Sequence, residues 1–207
     1  MQHQWLIKNE NKNLIVFFNG WGMDAKVVEH LGSDNYDVLM FYDYRNFVIE
    51  NFDFSKYEKK ILIAWSMGVY VCNNYPLFKT FDRFIAINGT QKPIDDNYGI
   101  PRMVYNLTVD NFNELSCSKF MKKITSNIDL KNYCSRSIQE LKNELVAIRD
   151  LQIVEYLNFD KALVSLKDRI IPAKNQINYW NSVNVLIEEF DGAHYIFDAF
   201  KNWDELI

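Results

Sequence analysis

The chain has 207 residues, 48% hydrophobic and 24% charged, which is about one domain with enough apolar mass for a sizeable core. A net charge of −4 argues against a general nucleic-acid binder, and no apolar run approaches the ~20 residues needed to span a membrane. Residues 1–5 carry no signal-peptide pattern, and Cys72, Cys117 and Cys134 form neither a disulfide framework nor a metal-ligand spacing; a cytoplasmic protein with no metal and no cofactor is expected.

In chain order, residues 4–8 predict a short edge strand, followed by a turn over 9–13. Residues 14–18, Leu-Ile-Val-Phe-Phe, are a continuous apolar run and predict a strand buried on both faces. It ends in Asn19-Gly20-Trp21-Gly22-Met23-Asp24, where Asp24 can cap a helix over about 25–31. Residues 36–41 predict the next strand, and 45–58 are irregular. Then comes Lys60-Ile61-Leu62-Ile63-Ala64-Trp65-Ser66-Met67-Gly68-Val69-Tyr70. It has the layout of a nucleophile elbow: strand, sharp turn carrying a serine, helix. Small residues are needed two places either side of the serine, and Ala64 and Gly68 fill those places. The plain alternative is a helix-capping serine. The helix should stop near Pro76, and residues 83–89 predict another buried strand.

This alternation predicts a parallel α/β sheet. It is interrupted from residue 96 to 150, where Phe112, Leu115, Phe120 and Ile124, then Ile138, Leu141, Leu145 and Ile148, recur at helical spacing. The expected organisation is a core of residues 1–95 and 151–207 with a helical cap over 96–150. The alternation resumes with a strand over 162–166 that ends at Lys167-Asp168, and a helix from Pro172 to about 180. A last strand over 183–190, the turn Asp191-Gly192-Ala193-His194, and a C-terminal helix complete the chain.

In a parallel sheet, functional groups gather at the carboxyl ends of the strands. Ser66, Asp168 and His194 all fall there, in the chain order of α/β-hydrolases. A serine hydroxyl becomes a good nucleophile when a neutral imidazole takes its proton, and a carboxylate fixes the imidazole tautomer. Of the other histidines, His3 is terminal and His30 lies in the first helix. Asp43, Asp160 and Asp191 compete with Asp168: Asp43 precedes the serine, Asp160 lies at the wrong end of its strand, and Asp191 is too near His194 in sequence. An oxyanion hole needs two backbone N–H groups. Met67, after the serine, supplies one, and Trp21, in the glycine-flanked turn after the first buried strand, supplies the other.

Asn19-Gly20-Trp21-Gly22 resembles the His-Gly-Trp-Gly stretch of pimeloyl-carrier-protein methyl ester esterases, and Ala64-Trp65-Ser66-Met67-Gly68 resembles their Gly-Trp-Ser-x-Gly elbow. The short length and the wording of both motifs are most similar to the compact BioG branch. Asn19 and Ala64 depart from the pattern. The resemblance implies an α/β-hydrolase fold, with Ser66, Asp168 and His194 as the triad and Trp21 and Met67 as the oxyanion hole. It also implies hydrolysis of the methyl ester of pimeloyl-[acyl-carrier protein] in biotin synthesis; a monomer is expected. Other acyl esterases or thioesterases, or a catalytically dead binding module of the same fold, remain open.

Acyl-carrier proteins are acidic, so a carrier partner needs a basic face. Residues 100–150 hold eight basic and six acidic residues, a net of +2, whereas the remainder holds 15 and 21, a net of −6. Lys119, Lys122 and Lys123 fall on one helix face, and Lys142 and Arg149 share another; with Arg136 these are the candidate docking residues. The plain alternative is an ordinary solvated face.

Overall fold

The computed structural model describes residues 1–124 and 135–207. Its seven strands are β1 (Gln2–Ile7), β2 (Asn13–Phe18), β3 (Tyr36–Tyr42), β4 (Lys59–Trp65), β5 (Arg83–Ile87), β6 (Lys161–Ser165) and β7 (Leu186–Phe190). They form one sheet in the order β1-β3-β2-β4-β5-β6-β7. β1 runs antiparallel to β3 at one edge, and every other pairing is parallel. The α-helices are α1 (Gly68–Val71), α2 (Arg102–Asp110), α3 (Glu114–Ile124), α4 (Ile138–Asp150) and α5 (Ala173–Ser182). The fold is a mostly parallel α/β sheet, as the alternation predicts. None of the described helices is long and apolar enough to cross a membrane.

The centre of the sheet is built from the apolar runs. In β2, β4, β5 and β6 nearly every residue from Leu14 to Phe18, Ile61 to Trp65, Phe84 to Ile87 and Ala162 to Val164 is buried. Successive side chains leave a strand on opposite faces. Phe17 therefore meets Phe197 and Trp203 on one face, with ring centroids 5.6 and 5.0 Å away. Phe18 faces the other way, stacking on Phe41 at 5.2 Å and meeting Phe78 edge-on at 5.3 Å.

Several expected helices are shorter or absent, each for a local reason. The helix expected after Asp24 is a 3-10 turn, Ala25–Val27. Asp24 does accept from the Lys26 N–H at 3.0 Å, but the paired β-branched Val27 and Val28 disfavour continuation. The elbow helix is α-helical only to Val71 and passes into 3-10 turns. Asn73 lies in that turn and donates to the Val69 and Tyr70 carbonyls at 2.7 and 2.9 Å, a side chain competing with the backbone ladder. The expected C-terminal helix is two 3-10 turns, Phe197–Ala199 and Trp203–Leu206. Between them the chain pairs with Gly32: the Gly32 N–H donates to Lys201 and the Trp203 N–H to Gly32. The last strand begins at Leu186, after α5 runs on to Ser182. Helices α2 to α4 fall within the 96–150 block. Cys134, Lys131 and Asp129 lie outside the described residues.

Candidate active site

Ser66 follows β4 directly and has a positive φ of 56°. That strained backbone pushes its side chain out above the sheet edge. The turn is tight enough that a Cβ on Gly68 would stand 2.4 Å from the Phe18 carbonyl oxygen, and one on Gly89 the same distance from the Ser66 carbonyl oxygen. Both positions therefore require glycine. The Ser66 N–H is held by the Ile87 carbonyl at 2.9 Å.

The structure brings the three sequence-chosen side chains into one line. His194 Nε2 lies 2.8 Å from Ser66 Oγ, and His194 Nδ1 lies 2.7 Å from Asp168 Oδ2. His194 and Asp168 are buried. Asp168 Oδ1 accepts from the N–H groups of Ile170 and Ile171 at 2.8 and 3.1 Å, and Oδ2 also accepts from Gln176 Nε2 at 2.8 Å. Such a carboxylate is aimed by several donors and can hold only one imidazole tautomer, the one with its proton on Nδ1. The relay can then draw a proton from the serine onto Nε2.

The rival carboxylates are engaged elsewhere. Asp43 pairs with Arg45 and Arg136. Asp160 accepts from the Phe84 N–H at the opposite end of the sheet, and Asp191 pairs with Lys167. His30 Nε2 lies 2.9 Å from the Phe197 carbonyl oxygen.

Trp21 and Met67 both line the cavity beside Ser66. The Trp21 ring is buried edge-on against Phe112 and Phe120, and its indole N–H donates to the Leu141 carbonyl in α4 at 3.0 Å. Among the described residues, no hydrogen bond engages the backbone N–H of Trp21 or of Met67. The cavity holds about 90 Å³ and is walled by Val104 and Tyr105 of α2, Phe120 and Ile124 of α3, Leu145 of α4, and Ile100. Lys123 and Arg169 also line it, adding two cations to a mostly apolar chamber.

The candidate docking cations separate into three kinds. Lys119, Lys122 and Lys123 are exposed on α3. Lys142 is half-buried and donates to the Asp110 carbonyl, and Arg149 pairs with its neighbour Asp150. Arg136 is a correction to the sequence reading. Its side chain is only 10% exposed and pairs with the buried Glu144 at 2.8 Å and with Asp43 at 3.2 Å, so it supports the interior and offers no docking charge. Burial holds the Glu144 carboxyl above its ordinary value against the pull of Arg136. For Asp43, burial works upward too, but the hydrogen bonds and charge of Arg45 and the charge of Arg136 outweigh it, and the carboxyl is lowered.

Neither Gln176 nor Asn88 is among the site residues that the sequence predicts. Gln176 lies on the buried face of α5 beside Tyr179 and Trp180, and an amide on an apolar helix face was the signal available. Asn88 follows β5 at the carboxyl edge, where position alone could have marked it. It donates to Ser165 Oγ and to the His194 carbonyl, both at 2.8 Å, and accepts from the Ser165 N–H at 2.7 Å.

The sheet order, its antiparallel first strand and a serine elbow at the sheet's carboxyl edge define an α/β-hydrolase. A lipase-esterase related protein from Clostridium acetobutylicum shares this fold, with a TM-score of 0.65 over 94% of this chain and 92% of that one at 14% identity. The family model described as pimeloyl-ACP methyl esterase BioG matches residues 1–206, and the chain belongs to that family. The crystal structure of BioG from Haemophilus influenzae is 31% identical, with a TM-score of 0.88 over 100% of this chain and 99% of that one. A Bacteroides fragilis protein named malonyl-[acyl-carrier protein] O-methyltransferase is 37% identical over 198 residues, 89% of this chain but 40% of its own length.

Proposed function

We propose that the protein is a serine carboxylesterase that hydrolyses the methyl ester of pimeloyl-[acyl-carrier protein], releasing methanol and freeing the pimeloyl carboxylate for biotin synthesis. The observation that carries this reading is the line from Ser66 Oγ through His194 to Asp168, at 2.8 and 2.7 Å. In this reading Ser66 Oγ attacks the ester carbonyl as His194 Nε2 takes its proton. The oxyanion is held by the Trp21 and Met67 N–H groups. Collapse expels methanol, which leaves with the proton from His194. A water, deprotonated by the same imidazole, then cleaves the acyl-serine ester and gives the carboxylate.

The substrate assignment draws on the family and on the apolar chamber, in which each buried methylene of the acyl chain contributes about 0.8 kcal/mol. The Bacteroides fragilis relative adds support, since its name describes methyl transfer to a carrier-linked malonyl group. Helices α2, α3 and α4 act as a cap over the chamber, and the exposed lysines of α3 receive the acidic carrier. The protein works in the cytoplasm as a monomer, and the triad chemistry calls on no metal or cofactor.

The test is hydrolysis of purified methyl pimeloyl-carrier protein, following methanol and the free carboxylate, beside labelling with a fluorophosphonate. Wild type should do both. Ser66→Ala, still folded, should lose labelling and roughly 10⁴-fold or more in rate. Release of the carrier thiol in place of methanol would make the enzyme a thioesterase, and an unlabelled wild type would make it a binding module.

A further inference from the structure

The loop carrying Trp21 is held in place by a carboxylate from a different part of the chain. Its two flanking N–H groups are both engaged by buried side chains. The Gly20 N–H donates to Asn19 Oδ1 at 2.8 Å, and the Gly22 N–H donates to Glu144 Oε2 at 3.2 Å. Glu144 lies on α4 and is fully buried. Its other oxygen accepts from the Tyr44 N–H at 2.8 Å, and Arg136 completes the set at 2.8 Å. Tyr44 then closes the ring, donating from its hydroxyl to the Asn19 carbonyl at 2.6 Å. α4 holds the same loop a second time through the Trp21 indole and the Leu141 carbonyl.

A buried carboxylate is expensive to keep in a protein interior unless it is fully hydrogen-bonded. This one is bonded on both oxygens, and its partners converge on the turn after β2. Gly22 has a φ of 77°, a region glycine visits about as readily as the ordinary one, so nothing local fixes this turn. An acceptor at that point selects the turn and, with it, the direction of the N–H one residue earlier. From this geometry we infer that Glu144 is a positioning residue for the oxyanion hole, acting through the Gly22 N–H to aim the Trp21 N–H at the reacting carbonyl oxygen.

This rests on the esterase reading, and the experiment separates the two. The probes are p-nitrophenyl acetate, a small ester independent of the carrier, and a trifluoromethyl ketone. The serine oxygen adds to the ketone carbonyl and leaves an oxyanion in the hole, so ketone affinity reports the hole itself. In Glu144→Gln one oxygen becomes an NH₂ facing a donor. In Glu144→Asp the charge and Arg136 pairing can persist while the reach to Gly22 shortens.

Losing one oxyanion donor outright removes about 10²–10³ in kcat; a misdirected donor should remove about 10–100-fold. Either variant, folded by near-ultraviolet circular dichroism, should show that fall in kcat with KM within about twofold and a matching fall in ketone affinity. If the Gln variant does not fold, the Asp variant decides on the same numbers. An unchanged kcat, or a fall in kcat with ketone affinity kept, overturns the inference. A wild type inert toward p-nitrophenyl acetate and the ketone fails the esterase reading instead. A wild type active on both but inert toward the carrier ester fails only the substrate assignment.

Discussion

Asn88 Nδ2 donates to the backbone carbonyl of His194 at 2.8 Å, so the histidine is held from its main chain as well as through its ring. The Trp65 indole donates to the same carbonyl at 3.1 Å. Two neighbouring strands thereby fix the loop that brings His194 back over the sheet. Asn88→Ala leaves the Ser165 N–H without its acceptor. It also places alanine at a φ of 44°, a region that asparagine tolerates better. Stability should fall by about 1–3 kcal/mol and ester hydrolysis by roughly tenfold. Denaturant unfolding and steady-state kinetics on one preparation check both, and an unchanged kcat would separate Asn88 from the site.

Asp168→Asn should lower kcat by roughly 10²–10⁴ while leaving KM near wild type, because the amide no longer selects the Nδ1-protonated imidazole. Asp43→Asn serves as the comparison. Its carboxylate faces Arg45 and Arg136 and does not reach His194. A silent Asp168→Asn beside a crippled Asp43→Asn would reverse the assignment.

Reversing Lys119 and Lys122 to Glu should reduce kcat/KM for a carrier-linked methyl ester by about tenfold at low salt, with the gap narrowing as ionic strength rises. Hydrolysis of p-nitrophenyl acetate should be unchanged, since neither residue lines the chamber. Lys123 is left out of this pair because it does line it. Equal loss on both esters would indicate damage to α3, and no loss on either would move the carrier to another face.

The Asp43 and Glu144 carboxyls should pull acid stability in opposite directions. The Asp43 pKa is lowered on folding, so its contribution is complete above the ordinary value of about 4 and is lost as pH falls through the lowered value. Glu144 is raised by burial, so its ionisation takes stability away as pH climbs from about 4 to the raised value. Asp43→Asn should therefore flatten the acid limb of a stability-against-pH curve below about pH 4. A parallel curve, merely displaced, would contradict this.

Much of the site could be read before the structure because its signals are local. An apolar run followed by small-x-Ser-x-Gly sets a strand and a turn within about ten residues, and the carboxyl-edge rule supplies Asp168 and His194. Glu144 shows what local signals miss. It falls between Leu141 and Ile148 on the apolar stripe of α4, and its partners Gly22 and Tyr44 are more than ninety residues away. Arg136 reads as a surface charge for the same reason: its carboxylate partners are Asp43, far back in the chain, and a glutamate on a face whose spacing is apolar. The overestimated helices around residues 25–31 and at the C-terminal end fail differently. There, apolar residues at plausible helical spacing are drawn into 3-10 turns and into pairing between Gly32 and residues 201–203, which no window of sequence contains.

The thin covering of the sheet has a consequence for how the molecule breathes. α1 spans four residues, and the face packed by Phe17 is closed by two short 3-10 turns. Rings such as Phe78, Phe197 and Trp203 supply the apolar cover that long helices would otherwise give, and the backbone bonds within that cover are mostly the short ones of 3-10 turns. Amides of β2, β4 and β5 sit inside ladders on both sides and should exchange with solvent only when the whole sheet opens. Amides of residues 72–80 and 197–206 should exchange far sooner, as these patches lift and reseat. Ser66 stands at the end of β4, on the slow layer, whereas His194 hangs from the loop after the edge strand β7, so the two ends of their hydrogen bond rest on parts of the molecule that open at different rates.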